Sequence, residues 1–359
     1  MAKIMRNEDE FILGCCKFLR PDHGRLEELH GGGLDYAYIL GQLLMHRVGG
    51  AAWHTLRGSP LLGRLNREFK NALSAIYETN VEKSESFKKA LGYLAGMLAS
   101  ARFPYALLKG SYLSGLYPAG VRTSNDIDML VGYGSLTEIG EMLLGHGFVQ
   151  GHIRNGGIAP AGRAQIVAAQ MNRGETVPWV REVDYPRMKF LEIDLNLSLD
   201  FKPDGDGAAV GRFLENAVAG IETENGTLRT LARDDFVMQL CAHIYKEATT
   251  YSWVEFGRDQ GLYKYMDIYL MAHEFGDGIV NREKINELGL QKECCYALRG
   301  TNELFGLDLP LGGIGVGEMG FVNEVVDAAG KKRYRHDMEF IEWVFCPRRK
   351  EMLREAAAQ

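Results

Sequence analysis

The residues of this chain best suited to chemistry lie between Leu107 and Gly132, in the stretch LLKGSYLSGLYPAGVRTSNDIDMLVG. An apolar run ends in Lys109-Gly110-Ser111. After a spacer, Asp126-Ile127-Asp128 leads into a second apolar run. Side chains alternate along a strand, so Asp126 and Asp128 share one face while Ile127 and Met129 take the other. Two carboxylates side by side repel, and burial would push their pKa values up further. A divalent cation removes that conflict, since Mg2+ takes oxygen ligands and commonly binds one or two carboxylates together with substrate phosphates. A third carboxylate is available in Asp194, on the polar face of MKFLEIDLNLSLDF (188–201), with Glu192 on the same face as its rival. Such a set suits a two-metal site, which stabilises both the attacking and the leaving oxygen of an in-line phosphoryl displacement.

Lys-Gly-Ser fits the same chemistry. A Gly-Ser turn between a strand and a helix brings backbone N–H groups and a hydroxyl close to an anion, and glycine lets the backbone approach without a Cβ in the way. Lys109 and Arg122 are candidate charge partners for a triphosphate. A salt bridge to Asp126 or Asp128 is the competing role for Lys109, and a plain surface charge the competing role for Arg122. Each feature alone is ordinary, because an Asp-x-Asp at a strand end is commonly a solvated edge or a helix cap. The order strand, Gly-Ser, helix, Asp-x-Asp strand, later strand with Asp is the specific signal, and it suits transfer of a nucleotidyl group.

The elements that must position these residues follow from periodicity. Residues 7–100 read as helical, with Phe11, Ile12, Cys15, Phe18 and Leu19 at helical spacing and a long helix near 64–100 that ends before Phe103-Pro104. YALLKG (105–110) and DIDMLVG (126–132) read as strands bounded by turn residues. A short helix is expected within 112–117, an amphipathic helix over about 135–145, and a strand over 147–154. Residues 155–186 are rich in Gly, Pro and Arg and read as a loop or insertion that could serve as a lid. Leu191, Ile193, Leu195, Leu197 and Leu199 alternate with polar residues, which makes 188–201 the clearest strand. From Thr230 onward the pattern is helical again, with a connector at 311–320. The expected class is α+β: a small mixed-sheet core flanked by helical regions. The expected domains are 1–100 helical, 101–205 core with the 155–186 insertion, and 206–359 helical.

Composition narrows the partners. The 359 residues carry a formal charge of −6, which disfavours broad, sequence-blind nucleic-acid binding. The one dense basic run, KKRYRH (331–336), reads as a solvated helix start rather than a nucleic-acid patch. The six cysteines form no CxxC, and the N-terminus lacks the apolar core of an export signal, so reduced thiols and a cytoplasmic location are expected. No run approaches the ~18–20 apolar residues of a membrane span.

The pattern resembles the polymerase-β nucleotidyltransferase superfamily, whose signature is Gly-Ser, a spacer, Asp-apolar-Asp and a distant third Asp. More closely it resembles the bacterial family labelled uncharacterised nucleotidyltransferase, on Leu108-Lys109-Gly110, Tyr117-Pro118, Arg122 and Asp126-Ile127-Asp128-Met129-Leu130-Val131. The similarity extends over roughly 35–275 and is most specific at 107–132 and 191–197. It implies that Asp126 and Asp128 bind Mg2+ and that Gly110 with Ser111 holds the phosphates of an NTP, expected to be ATP. It also implies that Asp194 completes the metal site and can act as base. Asn196 stands where the family often has His, so it departs from the pattern and becomes a possible substrate contact. His243 and Lys246, near a C-terminal helix that the family docks beside its cleft, are further possible substrate contacts, as is Glu192. The acceptor is expected to be a small-molecule hydroxyl. Transfer to tRNA or protein and a non-catalytic nucleotide-binding role are the alternatives.

Overall fold

The computed structural model describes residues 5–199, 207–314, 323–327 and 331–356. The chain divides into two compact units. A sheet unit comprises residues 79–119 and 123–239. A helical unit comprises 1–78, 120–122 and 240–359.

The sheet unit is built on eight strands: β1 (Tyr105–Leu107), β2 (Asp126–Val131), β3 (Val149–Arg154), β4 (Gly157–Pro160), β5 (Trp179–Tyr185), β6 (Met188–Asn196), β7 (Val218–Thr223) and β8 (Gly226–Thr230). Their spatial order is β4-β3-β5-β6-β2-β1-β8-β7. The sheet is mixed: β2 runs parallel to β6 and β1 parallel to β8, while the other neighbours are antiparallel. The alternation of β2 and β6 sends Ile127, Met129, Ile193 and Leu195 into one core with Trp179 and Phe148. The helix Arg67–Leu98 covers that core with Phe87, Leu91, Leu94 and Leu98, spaced to lie on one helical face. Ile139 and Leu143 come from the helix Leu136–Gly145. Each such side chain is worth about 1.5–3 kcal/mol on full burial. The opposite face of β2 carries Asp126, Asp128 and the buried Leu130.

Within the helical unit, the helices Asn7–Cys16, Leu262–Phe275 and Gln291–Phe305 bury Phe11, Ile12, Tyr265, Tyr269 and Leu304. A three-stranded sheet is formed by β9 (Glu324–Val326), β10 (Arg333–Arg335) and β11 (Arg354–Glu355). None of the six cysteines is in a disulfide. Among the described residues, no helix is long and apolar enough to cross a membrane.

The structure departs from the sequence-based boundaries in three places. Residues 155–186 are not an excursion. They supply β4, the helix Arg163–Arg173 and β5, and β5 lies between β3 and β6 inside the sheet. Exposed Glu182 and Asp184 alternate with half-buried Arg181, Val183 and Tyr185, so the strand is half-polar and its charges hid it. The sheet also continues past residue 205, because the hairpin β7–β8 joins it through Thr230 beside Leu107. The basic run at 331–336 is a strand rather than a helix start, with Arg333 and Arg335 paired to Glu324 at 2.8 and 3.1 Å. The polar gap at 203–206 and the connector beyond residue 314 lie outside the described residues.

At the sheet margin, Gly151 of β3 sits opposite Pro160 of β4, and a Cβ there would come within 2.3 Å of the Ala159 carbonyl oxygen. Backbone cannot yield as a flexible side chain can, so Gly151→Ala is expected to force β4 off the sheet. The expected cost is about 1–3 kcal/mol, read as a lower unfolding midpoint together with faster amide exchange at 157–159. Unchanged exchange there would show that the hairpin absorbs the methyl group.

Candidate functional site

The parallel register of β2 and β6 sets Asp126 beside Glu192 and Asp128 beside Asp194. Partners in register point to the same side of a sheet, so four carboxylates stand on one face as two adjacent rungs. The residues between them, Ile127 and Ile193, are fully buried on the other face. Core packing on one side therefore holds the acidic ladder on the other. A shift of one residue in either strand would bury charge and expose isoleucine.

Lys109 is the group that closes on this ladder. The Leu108 N–H donates to the Asp128 carbonyl oxygen at 2.9 Å, which carries the β1 pairing up to the turn. The next residue, Lys109, has φ 42° and ψ −118°. A positive φ is costly for any residue with a Cβ, and such backbone persists only where surrounding structure enforces it. The Lys109 Nζ donates to Asp128 Oδ1 at 2.8 Å, with both side chains largely buried. The same oxygen accepts from the Asn196 Nδ2 at 3.3 Å, and that amide also donates to the Asp194 carbonyl oxygen at 3.2 Å. Asn196 is thus a spacer that ties the two aspartates together.

Gly110 and Ser111 open the short helix Gly110–Leu113 directly after this strained residue, and both are buried. The Ser111 N–H donates to the Leu108 carbonyl at 3.1 Å, but its Oγ is buried with no hydrogen-bond partner. A buried hydroxyl without a partner is costly and uncommon in folded proteins. It marks a place where a polar ligand atom would be welcome.

The electrostatics follow from the crowding. Burial raises the pKa of Glu192, and the charges of Asp126 and Asp128 raise it further. Asp194 is pushed well above the ordinary carboxylate range, first by burial and then by Asp128, Asp126, Glu192 and Glu175. Glu175 was not among the residues expected from sequence. It bridges to Asn196 at the end of β6 and adds a further carboxylate beside Asp194. It was missed because it lies in the segment read as an insertion. The Gly174 turn that precedes it accepts hydrogen bonds from the Leu197 and Ser198 N–H groups and aligns it with β6.

The expected site residues therefore fall into two groups. Lys109, Gly110, Ser111, Asp126, Asp128, Glu192, Asp194 and Asn196 all lie in the sheet unit, and the structure brings Lys109, Asn196 and the four carboxylates together. Arg122, His243 and Lys246 belong to the helical unit. The Arg122 guanidinium donates to both Asp267 oxygens, at 2.7 and 2.9 Å, and packs 5.2 Å from the Tyr263 ring centroid. His243 Nε2 lies 3.5 Å from Glu247 Oε2, and Glu247 is also paired with Lys264. The Lys246 carbonyl oxygen accepts from the Thr250 hydroxyl at 2.6 Å.

The ladder is all oxygen, the donor type of hard divalent cations. Four mutually repelling carboxylates, two with raised pKa values, gain most from such a cation, so the residues fit Mg2+ by chemistry. They are not already closed around one point: among the described residues, no three His, Cys, Asp or Glu side chains form a ready metal cage. In this arrangement Asp128 is held by an ammonium and an amide instead.

A family model described as uncharacterised nucleotidyltransferase matches residues 34–306. Among solved structures, an antigenic nucleotidyltransferase-like protein from Paracoccidioides brasiliensis is similar at 15% identity and a TM-score of 0.40, over 62% of this chain and 89% of that one. No curated protein matches.

Proposed function

We propose that this chain, which belongs to the uncharacterised nucleotidyltransferase family, is a Mg2+-dependent enzyme that moves AMP from ATP onto the hydroxyl of a small-molecule acceptor and releases pyrophosphate. The observation that carries this reading is the ladder of Asp126 and Asp128 beside Glu192 and Asp194, with the Lys109-Gly110-Ser111 turn closing on it. Bound at Asp126, Asp128 and Asp194, Mg2+ would supply charge neutralisation for the triphosphate and for the developing negative oxygens. The chain's own groups do the rest. Ser111 Oγ offers its unused hydrogen bond to a phosphate oxygen, and the Lys109 ammonium neutralises a further one. Asp194, with its raised pKa, takes the proton of the attacking hydroxyl. The acceptor oxygen bonds to the α-phosphorus as the bond from that phosphorus to the pyrophosphate oxygen breaks. Asn196 keeps Asp128 and Asp194 in place throughout.

A small acceptor is favoured over nucleic acid because the formal charge is −6 and the one basic run spends its arginines on Glu324. The test is incubation of the full chain with α-labelled NTPs, Mg2+ and a cell extract, beside an Asp126→Ala/Asp128→Ala double variant. Label entering a small product with the wild type alone is the expected result. Equal labelling by both proteins would refute the mechanism, and label on RNA or protein would replace the acceptor.

A further inference from the structure

Asp128 Oδ1 already accepts two hydrogen bonds. It accepts from the Lys109 ammonium at 2.8 Å and from the Asn196 amide at 3.3 Å. A Mg2+ ligand oxygen sits about 2.0–2.1 Å from its metal. A metal and the ammonium sharing this oxygen would be two cations within about 4 Å of each other in a partly buried site, where like charges repel strongly. The two therefore compete for this oxygen.

We propose that Lys109 is the resident counter-ion of Asp128, which the metal must displace, so that metal binding is weak until the ammonium has moved onto a second anion. The triphosphate supplies that anion, and here the inference rests on the nucleotidyltransferase reading. Two features show that the lysine is built for the task. Its backbone is held at φ 42°, a strained conformation for a side chain with a Cβ, where a glycine would cost nothing. Strand pairing continues to the residue before it, through Leu108 N–H to the Asp128 carbonyl. The strain thus lies where the chain must leave β1 and still deliver an ammonium to Asp128. Ser111 Oγ, buried and without a partner two residues on, offers a phosphate a second contact close to the lysine. The consequence is coupling: an empty site does not hold its metal tightly, and nucleotide and metal favour each other's binding.

The test is a titration of the full chain with Mn2+ alone, followed through the electron-spin signal of the free ion, in wild type, Lys109→Met, Lys109→Gln and Lys109→Arg. The two neutral variants are expected to bind Mn2+ at least about tenfold tighter than wild type, as loss of a competing unit charge at this range predicts. Lys109→Arg, which keeps the charge, is expected to stay weak. Neutral variants that bind no tighter than wild type would overturn the proposal. A wild-type measurement covers the case in which the neutral variants do not fold. Saturating Mn2+ is expected to raise the labelling of Lys109 by an amine-selective reagent, mapped by mass spectrometry, because the displaced ammonium moves into solvent. Labelling that Mn2+ leaves unchanged overturns the exchange. Failure of the underlying reading looks different: Mn2+ would then bind no protein, with or without a non-hydrolysable ATP analogue.

Discussion

Asp128→Asn is expected to leave the chain folded and to lower nucleotidyl transfer by at least about a thousandfold, the loss that follows when several kcal/mol of charge stabilisation is withdrawn from a transition state. The substitution keeps size and shape, so the β1–β2 and β2–β6 pairings stay intact, and the backbone hydrogen bond from Leu108 to residue 128 does not involve the side chain. What is lost is the charge at the point where Lys109, Asn196 and the Asp194 rung meet. A neutral amide is a weaker ligand for a hard dication than a carboxylate and forms no ion pair with the ammonium. The measurement is initial rate against Mg2+ concentration, with circular dichroism to check folding. Retention of more than a tenth of wild-type activity at saturating Mg2+ would remove Asp128 from the centre of the site.

Asp194→Asn is expected to do two opposite things: lower transfer by about a hundredfold or more, the usual worth of a positioned general base, and make the metal-free protein more stable at neutral pH. The second effect follows from the sign of the pKa shift. Burial and four neighbouring carboxylates favour the protonated form of Asp194 in the folded state. Its contribution to stability is therefore present in full at acidic pH, below its unfolded pKa. That contribution is lost as pH rises from the ordinary carboxylate range toward the raised folded value. Asparagine cannot ionise, so the variant skips that loss. Thermal unfolding in EDTA between pH 4 and pH 8 is expected to show similar midpoints at the acid end and a variant advantage that widens with pH. A midpoint shift of about 2–4 °C is expected for each kcal/mol of repulsion relieved. Mg2+ is expected to narrow or reverse the gap by stabilising the wild type alone. A variant less stable than wild type at pH 8 without metal would mean that the ladder is not under the strain its geometry implies.

These two results bear on why such a site is kept. Crowded like charges are retained where function needs them and are compensated by packing elsewhere. Here Ile127, Met129, Ile193 and Leu195, buried behind the ladder, supply the stability that the carboxylates withdraw.

Much of this was legible without the fold. Alternation in DIDMLVG and LEIDLNL put Asp126 and Asp128 on one face, and Glu192 and Asp194 on another. Helical periodicity placed a long helix near 64–100, which the structure has as Arg67–Leu98. Glu175 and β5 were not legible, because Trp179–Tyr185 mixes charges with apolar residues on a strand that is only half-buried. The β7–β8 hairpin was missed for a related reason: Val218, Ala219 and Gly220 are exposed, so that strand carries no clear apolar face.

The sequence by itself determined which residues could be acidic ligands, which face each would take, and that a Lys-Gly-Ser turn precedes them. Periodicity encodes the face of an element because burial acts on every second or fourth residue along it. It does not encode the neighbour. The tertiary structure decided that β6 lies beside β2 in parallel, that its register matches Asp128 to Asp194 rather than to Glu192, and that Lys109 folds back onto Asp128 through a strained φ. It also decided that Arg122, three residues before Asn125, spends its guanidinium on Asp267 in the helical unit. Strand order, register and ion-pair partners join residues tens to more than a hundred positions apart, and they are selected by the packing of the whole unit rather than by any local pattern.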